Sequence, residues 1–172
     1  MRVSTCHVTA DYIRVVCRVV ESKVLIVWKF QSEYEYGAIS LHDCHITSIV
    51  EKDNNIELYF SDGYWLSDAN IQNPYKKVLR TDASCLTLLN ANCGDIFFAG
   101  TKFSWHEFCS NINLGQWSFE CITECYAGNK SVYSGWIWTE EGAYQPNPEC
   151  NIWFTFQELV YNWNNICEDR QW

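Results

Sequence analysis

The chain has 172 residues and a formal net charge of −9, from 12 basic and 21 acidic side chains. It is 48% hydrophobic and 16% aromatic with only three Pro and eight Gly, a composition that excludes a disordered polymer and supplies one domain over residues 1–172. The excess of acid excludes a phosphate-backbone binder, and no run approaches the roughly 18 apolar residues of a spanning helix, so neither nucleic acid nor membrane is an expected partner.

The N-terminus, Met1 to His7, has no apolar core of signal-peptide type, which makes a cytoplasmic location the expectation. Ten cysteines in such a compartment read as reduced, buried thiols acting as small hydrophobes. Residues 11–30 alternate with period two (Ile13, Val15, Cys17, Val19 against Tyr12, Arg14, Val16, Arg18) and then run apolar through Val24–Trp28, predicting two strands. Glu33-Tyr34-Glu35-Tyr36 alternates again until Gly37 breaks it. A strand over about 41–50 turns at Lys52-Asp53-Asn54-Asn55 into Ile56–Phe60. Asp62-Gly63 then predicts a two-residue hairpin pairing Phe60 with Trp65 and Tyr59 with Leu66. Residues 68–84 read as an irregular connection.

Two capping boxes follow. Ser104-Trp105-His106-Glu107 precedes a stripe of Trp105, Phe108, Cys109 and Ile112, and Thr155-Phe156-Gln157-Glu158 precedes Phe156, Leu159, Val160 and Trp163. They predict amphipathic helices over about 104–113 and 155–167, each fed by a strand, as an internal strand–helix repeat. Between them, Trp117–Tyr126 and Val132–Thr139 form a hairpin through Ala127-Gly128-Asn129-Lys130. The expected fold is mainly β (α+β): an antiparallel sandwich or open barrel of roughly ten strands with the two helices covering an edge or one end.

No catalytic residue, metal site or cofactor is expected. His42-Asp43-Cys44-His45 concentrates polar and soft side chains, but on a strand His42 and Cys44 face opposite to Asp43 and His45, too few on one face for a catalytic zinc. Cys121 and Cys125 share a face on a regular strand about 13 Å apart, too far for one ion or a disulfide. No Gly-rich phosphate loop or glycine-framed serine occurs, and His106 lies off its helical stripe. Trp136 and Trp138 share one strand face, as in sugar-binding platforms, although an aromatic core is the commoner reason.

The segment Leu41-His42-Asp43-Cys44-His45-Ile46, followed by Phe60-Ser61-Asp62-Gly63-Tyr64, resembles a pattern found in small uncharacterised bacterial β proteins, some regarded as immunity proteins of polymorphic toxin systems. The resemblance covers about residues 39–67 and carries no catalytic residue over. It implies a non-catalytic protein-binding protein, an immunity-type inhibitor of a basic toxin partner. Glu33, Tyr34, Glu35 and Tyr36 are the candidate contact strand, since Tyr is enriched at interfaces and carboxylates suit a basic partner; a plain solvated edge strand would show the same pattern. The alternative is a small-ligand binder or enzyme whose cavity lies near His42, Asp43 and His45.

Overall fold

Residues 27–172 are the part of the chain that the computed structural model describes. The alternation over residues 11–26, with Cys6, His7 and Cys17, lies outside the described residues. Fifteen strands and one helix follow in order: β1 (Phe30–Glu33), β2 (Ile39–Ser40), β3 (Cys44–Lys52), β4 (Asn55–Phe60), β5 (Trp65–Leu66), β6 (Leu79–Thr81), β7 (Ser84–Leu89), β8 (Asn92–Phe98), β9 (Thr101–Phe103), α1 (Trp105–Asn113), β10 (Ser118–Ala127), β11 (Lys130–Thr139), β12 (Gly142–Ala143), β13 (Glu149–Thr155), β14 (Glu158–Trp163) and β15 (Ile166–Gln171).

Eleven strands form one antiparallel sheet in the order β1-β14-β7-β4-β3-β10-β11-β13-β8-β9, with β12 paired to β11; β15-β6-β5-β2 form a second, smaller sheet. The large sheet is curled but not closed. Its second and eighth strands, β14 and β13, are joined by only Phe156 and Gln157, so the sheet bends back on itself there. The amide of Phe156 donates to the Asn129 carbonyl and that of Gln157 to the Leu89 carbonyl, tying three loops together at this end. Phe60, Tyr64, Phe108, Phe119, Tyr133, Phe154, Tyr161 and Trp163 fill the inside, each essentially without exposure.

The first predicted helix is α1. Ser104 caps it by accepting from the Glu107 amide, Phe108 and Ile112 are buried, and His106 is exposed. The helix fills the place where β10 leaves β3, since β10 pairs only with Cys44–Ile46. Beyond that point Asn113 stands in for a strand: its side chain accepts from the Ile49 amide and donates to the Ile49 carbonyl, each at 2.8 Å. Trp105 Nε1 donates to Glu51 at 2.8 Å from the other end of the helix.

The second predicted helix is absent. Residues 155–167 instead close β13, form β14 and begin β15. The apolar positions satisfy both periods, but Leu159, Tyr161 and Trp163 alternate inward while Val160 and Asn162 are also buried, so the run is a strand covered on both faces. Val, Tyr and Trp suit a strand, and Asp82 Oδ1 accepts from the amides of Asn164 and Asn165, turning the chain where a helix would continue. With that helix goes the strand–helix repeat.

The hairpins divide similarly. Lys52 pairs with Asn55 across Asp53 and Asn54, both at positive φ, the type I′ geometry. Ala127 pairs with Lys130 as expected. Asp62-Gly63 does not make a hairpin: β4 lies between β3 and β7, whereas β5 belongs to the small sheet. Gly63 is needed for another reason, because a Cβ there would lie 2.2 Å from the Thr81 carbonyl oxygen. The connection over 68–84 contains the short strand β6, held by Asn73, whose amide group donates to the carbonyls of Ser67 and Lys77.

Candidate functional site

The mouth of the curled sheet owes its chemistry to a bulge in β10. Cys121 pairs with Gly135 and Thr123 with Ser134, so Ile122 is the extra residue. Before the bulge Phe119 and Cys121 point into the core; after it the phase flips, and Glu124 and Tyr126 point inward while Thr123 and Cys125 are exposed. Cys121 and Cys125 therefore lie on opposite faces, correcting the shared face expected of a regular strand. Gly135 permits the close approach, since a Cβ there would lie 1.9 Å from the Glu120 carbonyl oxygen.

The segment Leu41–Asp43 fastens this bulge. The Leu41 amide donates to both carboxylate oxygens of Glu124, at 3.1 and 2.9 Å; His42 Nδ1 lies 2.6 Å from the Ile122 carbonyl; the Asp43 amide donates to the Cys121 carbonyl at 2.8 Å. Asp43 is at φ 56 and precedes the strand, so only Cys44 and His45 of the four belong to β3. His42 also packs on Trp172, and Trp65 Nε1 donates to the His42 carbonyl. Arg80 completes this end by pairing with Asp62, lying over Trp65 and donating to the Asp43 carbonyl. His42 and Asp43 thus secure loop and strand backbone.

His45 faces outward among different neighbours. Its Nδ1 is 3.3 Å from Ser118 Oγ and its Nε2 is 3.8 Å from Glu120, whose other oxygen accepts from Trp138 Nε1 at 2.6 Å. The residue types are those of a Ser–His–carboxylate row, half-buried on the outer face of β3 and β10. Among the described residues no group of three or more His, Cys, Asp and Glu is placed to hold a metal ion.

At the mouth, a cleft of about 210 Å³ opens between the end of β1, the β10–β11 turn and the β13–β14 link. Glu33, Tyr34, Tyr126, Phe156, Glu158 and Leu159 are among its walls. The Tyr34 ring packs on Tyr126 with centroids 4.4 Å apart, and Tyr126 Oη meets Tyr161 Oη at 2.9 Å. Burial raises the phenol pKa values of Tyr126, Tyr133 and Tyr161, and burial together with the Glu124 charge raises that of Tyr34. Burial likewise pushes the Glu124 carboxyl up to about 7, against the opposing effects of the Leu41 amide, Ser40 and His42.

Of the four residues expected at a contact strand, Glu33 ends β1, and Tyr34, Glu35 and Tyr36 lie beyond it in a turn where the Ala38 amide donates to the Glu35 carbonyl. Tyr34 is 39% exposed and Tyr36 92%. A second, more polar cleft lies on the other side of Glu33 and Tyr34, walled also by Gln31, Glu35 and Gln72. Glu33, Tyr34 and Glu35 line the two clefts and Tyr36 follows them in the turn, whereas His42, Asp43 and His45 line neither cleft. Tyr126, Phe156 and Glu158 were not expected in the cleft, nor Glu124 to point inward; Gly135 opposite the bulge is the only mark of it in the sequence.

Comparison with protein-family models, with curated proteins and with solved structures finds no match to the chain.

Proposed function

We propose that the protein is a non-catalytic binding protein that occupies the surface of a basic protein partner, in the manner of an immunity-type inhibitor. The observation that carries the reading is the mouth itself. Glu33, Glu35 and Glu158 surround exposed tyrosines there, and none of the three carboxylates has an ion-pair partner among the described residues. Aromatic side chains ringed by unpaired charge of one sign are the composition of an interface centre with an electrostatically complementary rim. The rest of the body reinforces it, with 8 basic against 19 acidic residues over 27–172. A reducing, cytoplasmic setting belongs to the same proposal and agrees with the eight described cysteines, all free.

A partner held this way is steered by charge, and the field of the mouth is screened within about 8–10 Å at physiological salt. The test is capture from the native host at low salt, followed by association rates of the captured protein across a salt series. The rate should fall as salt rises, and Glu33→Lys with Glu35→Lys should lower it further at low salt while leaving the melting transition in place. A captured partner that associates with the double variant at the unaltered rate would refute the assignment of the mouth.

A further inference from the structure

We propose that the mouth cleft is a recess for one side-chain cation, the ammonium of a lysine or the guanidinium of an arginine presented by the partner. The inference rests on the binding function proposed above and specifies what that mouth receives. Three properties of the cleft converge on it.

The first is size. A volume of about 210 Å³ holds about seven waters at roughly 30 Å³ each, enough for an unbranched side chain. It falls below the roughly 300 Å³ at which pockets for drug-sized molecules begin. The second is the wall. Phe156 and Leu159 are buried and apolar, suited to a methylene stem, while Tyr34 and Tyr126 bring aromatic rings that attract a cation. The third is charge. Among the described residues, the ionisable side chains lining the cleft, apart from the two phenols, are Glu33 and Glu158, on the neighbouring strands β1 and β14, with no Lys or Arg beside them. Among the described residues neither carboxylate has a cation of its own, which suits the cleft to receive one.

The recess also explains why Tyr34 leaves the strand. Carried on past Glu33, β1 would continue along β14; instead the chain turns, and Tyr34 folds over Tyr126 to form one side of the cleft. A neutral ligand would gain the apolar floor and leave the carboxylates unused. A saccharide would find an acceptor-rich rim on a cleft that suits a single linear chain.

The experiment uses the full chain and simple probes: n-butylammonium and n-propylguanidinium, with n-butanol as the neutral isostere, followed by NMR shifts of the Tyr34 and Tyr126 rings. At least one cation should bind saturably, with butanol far weaker. Glu33→Gln with Glu158→Gln, both at exposed positions, should weaken the cation about tenfold and leave the spectrum otherwise folded. Butanol binding as well as the cations, no saturable shift with either cation, or a double variant that binds cations unchanged would each overturn the recess. The two proposals fail separately. A basic partner captured equally by wild type and the Gln variant would remove the recess and keep the binding function. Saturable cation binding by a chain that captures no basic partner would keep the recess and remove the function.

Discussion

A carboxyl group that must lose its proton inside a protein charges the folded state for the privilege. Glu124 is such a group, with its pKa raised from the ordinary 4.5 to about 7, chiefly by burial. The folded chain therefore holds this proton more tightly than the unfolded one. The resulting stability is complete below about pH 4.5, declines as pH rises through the window up to about 7, and stays lower above it. A shift of this size corresponds to about 1–3 kcal/mol once residual solvent is allowed for. Glu124→Gln keeps an oxygen to accept from the Leu41 amide and removes the ionisation. Denaturant unfolding at pH 5 and pH 8 should show wild type losing stability on that order relative to the variant; parallel pH dependences would show that the carboxyl ionises without cost. Glu124 was illegible in the sequence for a definite reason. Strict alternation over 118–127 places Glu120, Ile122, Glu124 and Tyr126 on one face, and a single inserted residue separates them. Gly135 marks the spot, but a glycine in a strand pattern has several explanations, and its partner strand must be known to choose among them.

At the level of elements, one helix was legible and the other was not, although their sequences carry the same signals. α1 forms because its cap and stripe agree with what surrounds it: Asn113 and Trp105 both find partners on β3. The equivalent stripe at Phe156–Trp163 sits where two sheet strands, β1 and β7, already offer unsatisfied edges, and a run buried on both faces satisfies them as β14. Local periodicity cannot separate the two outcomes, because a short apolar run matches either period. The turn at Asp53-Asn54 was legible because both residues tolerate positive φ, whereas Asp62-Gly63 was misleading because the close approach of Thr81, not a hairpin, calls for the glycine. The role of α1 as the plug between β3 and the rest of the sheet makes a test. Phe108→Ala empties a fully buried position between Trp105, Trp117 and Phe119, and should cost about 3–5 kcal/mol in chemical denaturation. His106→Ala, on the exposed face of the same helix, should change stability by no more than about 0.5 kcal/mol. Comparable losses from both would mean that the helix docks through a different face.

For the molecule as a whole, the expectation of a mainly antiparallel β body with apolar material to spare is met. The single curled sheet and its small partner sheet account for why so many cysteines are tolerated. Among the described residues Cys44, Cys85, Cys121 and Cys150 are buried, Cys93, Cys109 and Cys167 are half-buried, and Cys125 is exposed. Burial pushes the thiols of Cys85, Cys93, Cys109 and Cys150 up to about 12, and those of Cys44 and Cys121 upward as well. Because the thiolate is the reacting species, such thiols are slow both from lack of access and from lack of ionisation. Cys125 owes its exposure to the bulge, which turns it out of the face that Cys121 keeps. The expected chemistry is therefore a ranking. In a Cys6→Ser, Cys17→Ser background at pH 8, an aromatic disulfide reagent should modify Cys125 first and Cys167 more slowly. The remaining six should react only as the chain unfolds, and denaturant without reductant should release all eight. Cys125→Ser should remove the fast phase. A total below eight would reveal disulfides and place the chain in an oxidising compartment, while early modification of Cys121 together with Cys125 would mean that β10 runs without its bulge, taking Glu124 and Tyr126 out of the mouth with it.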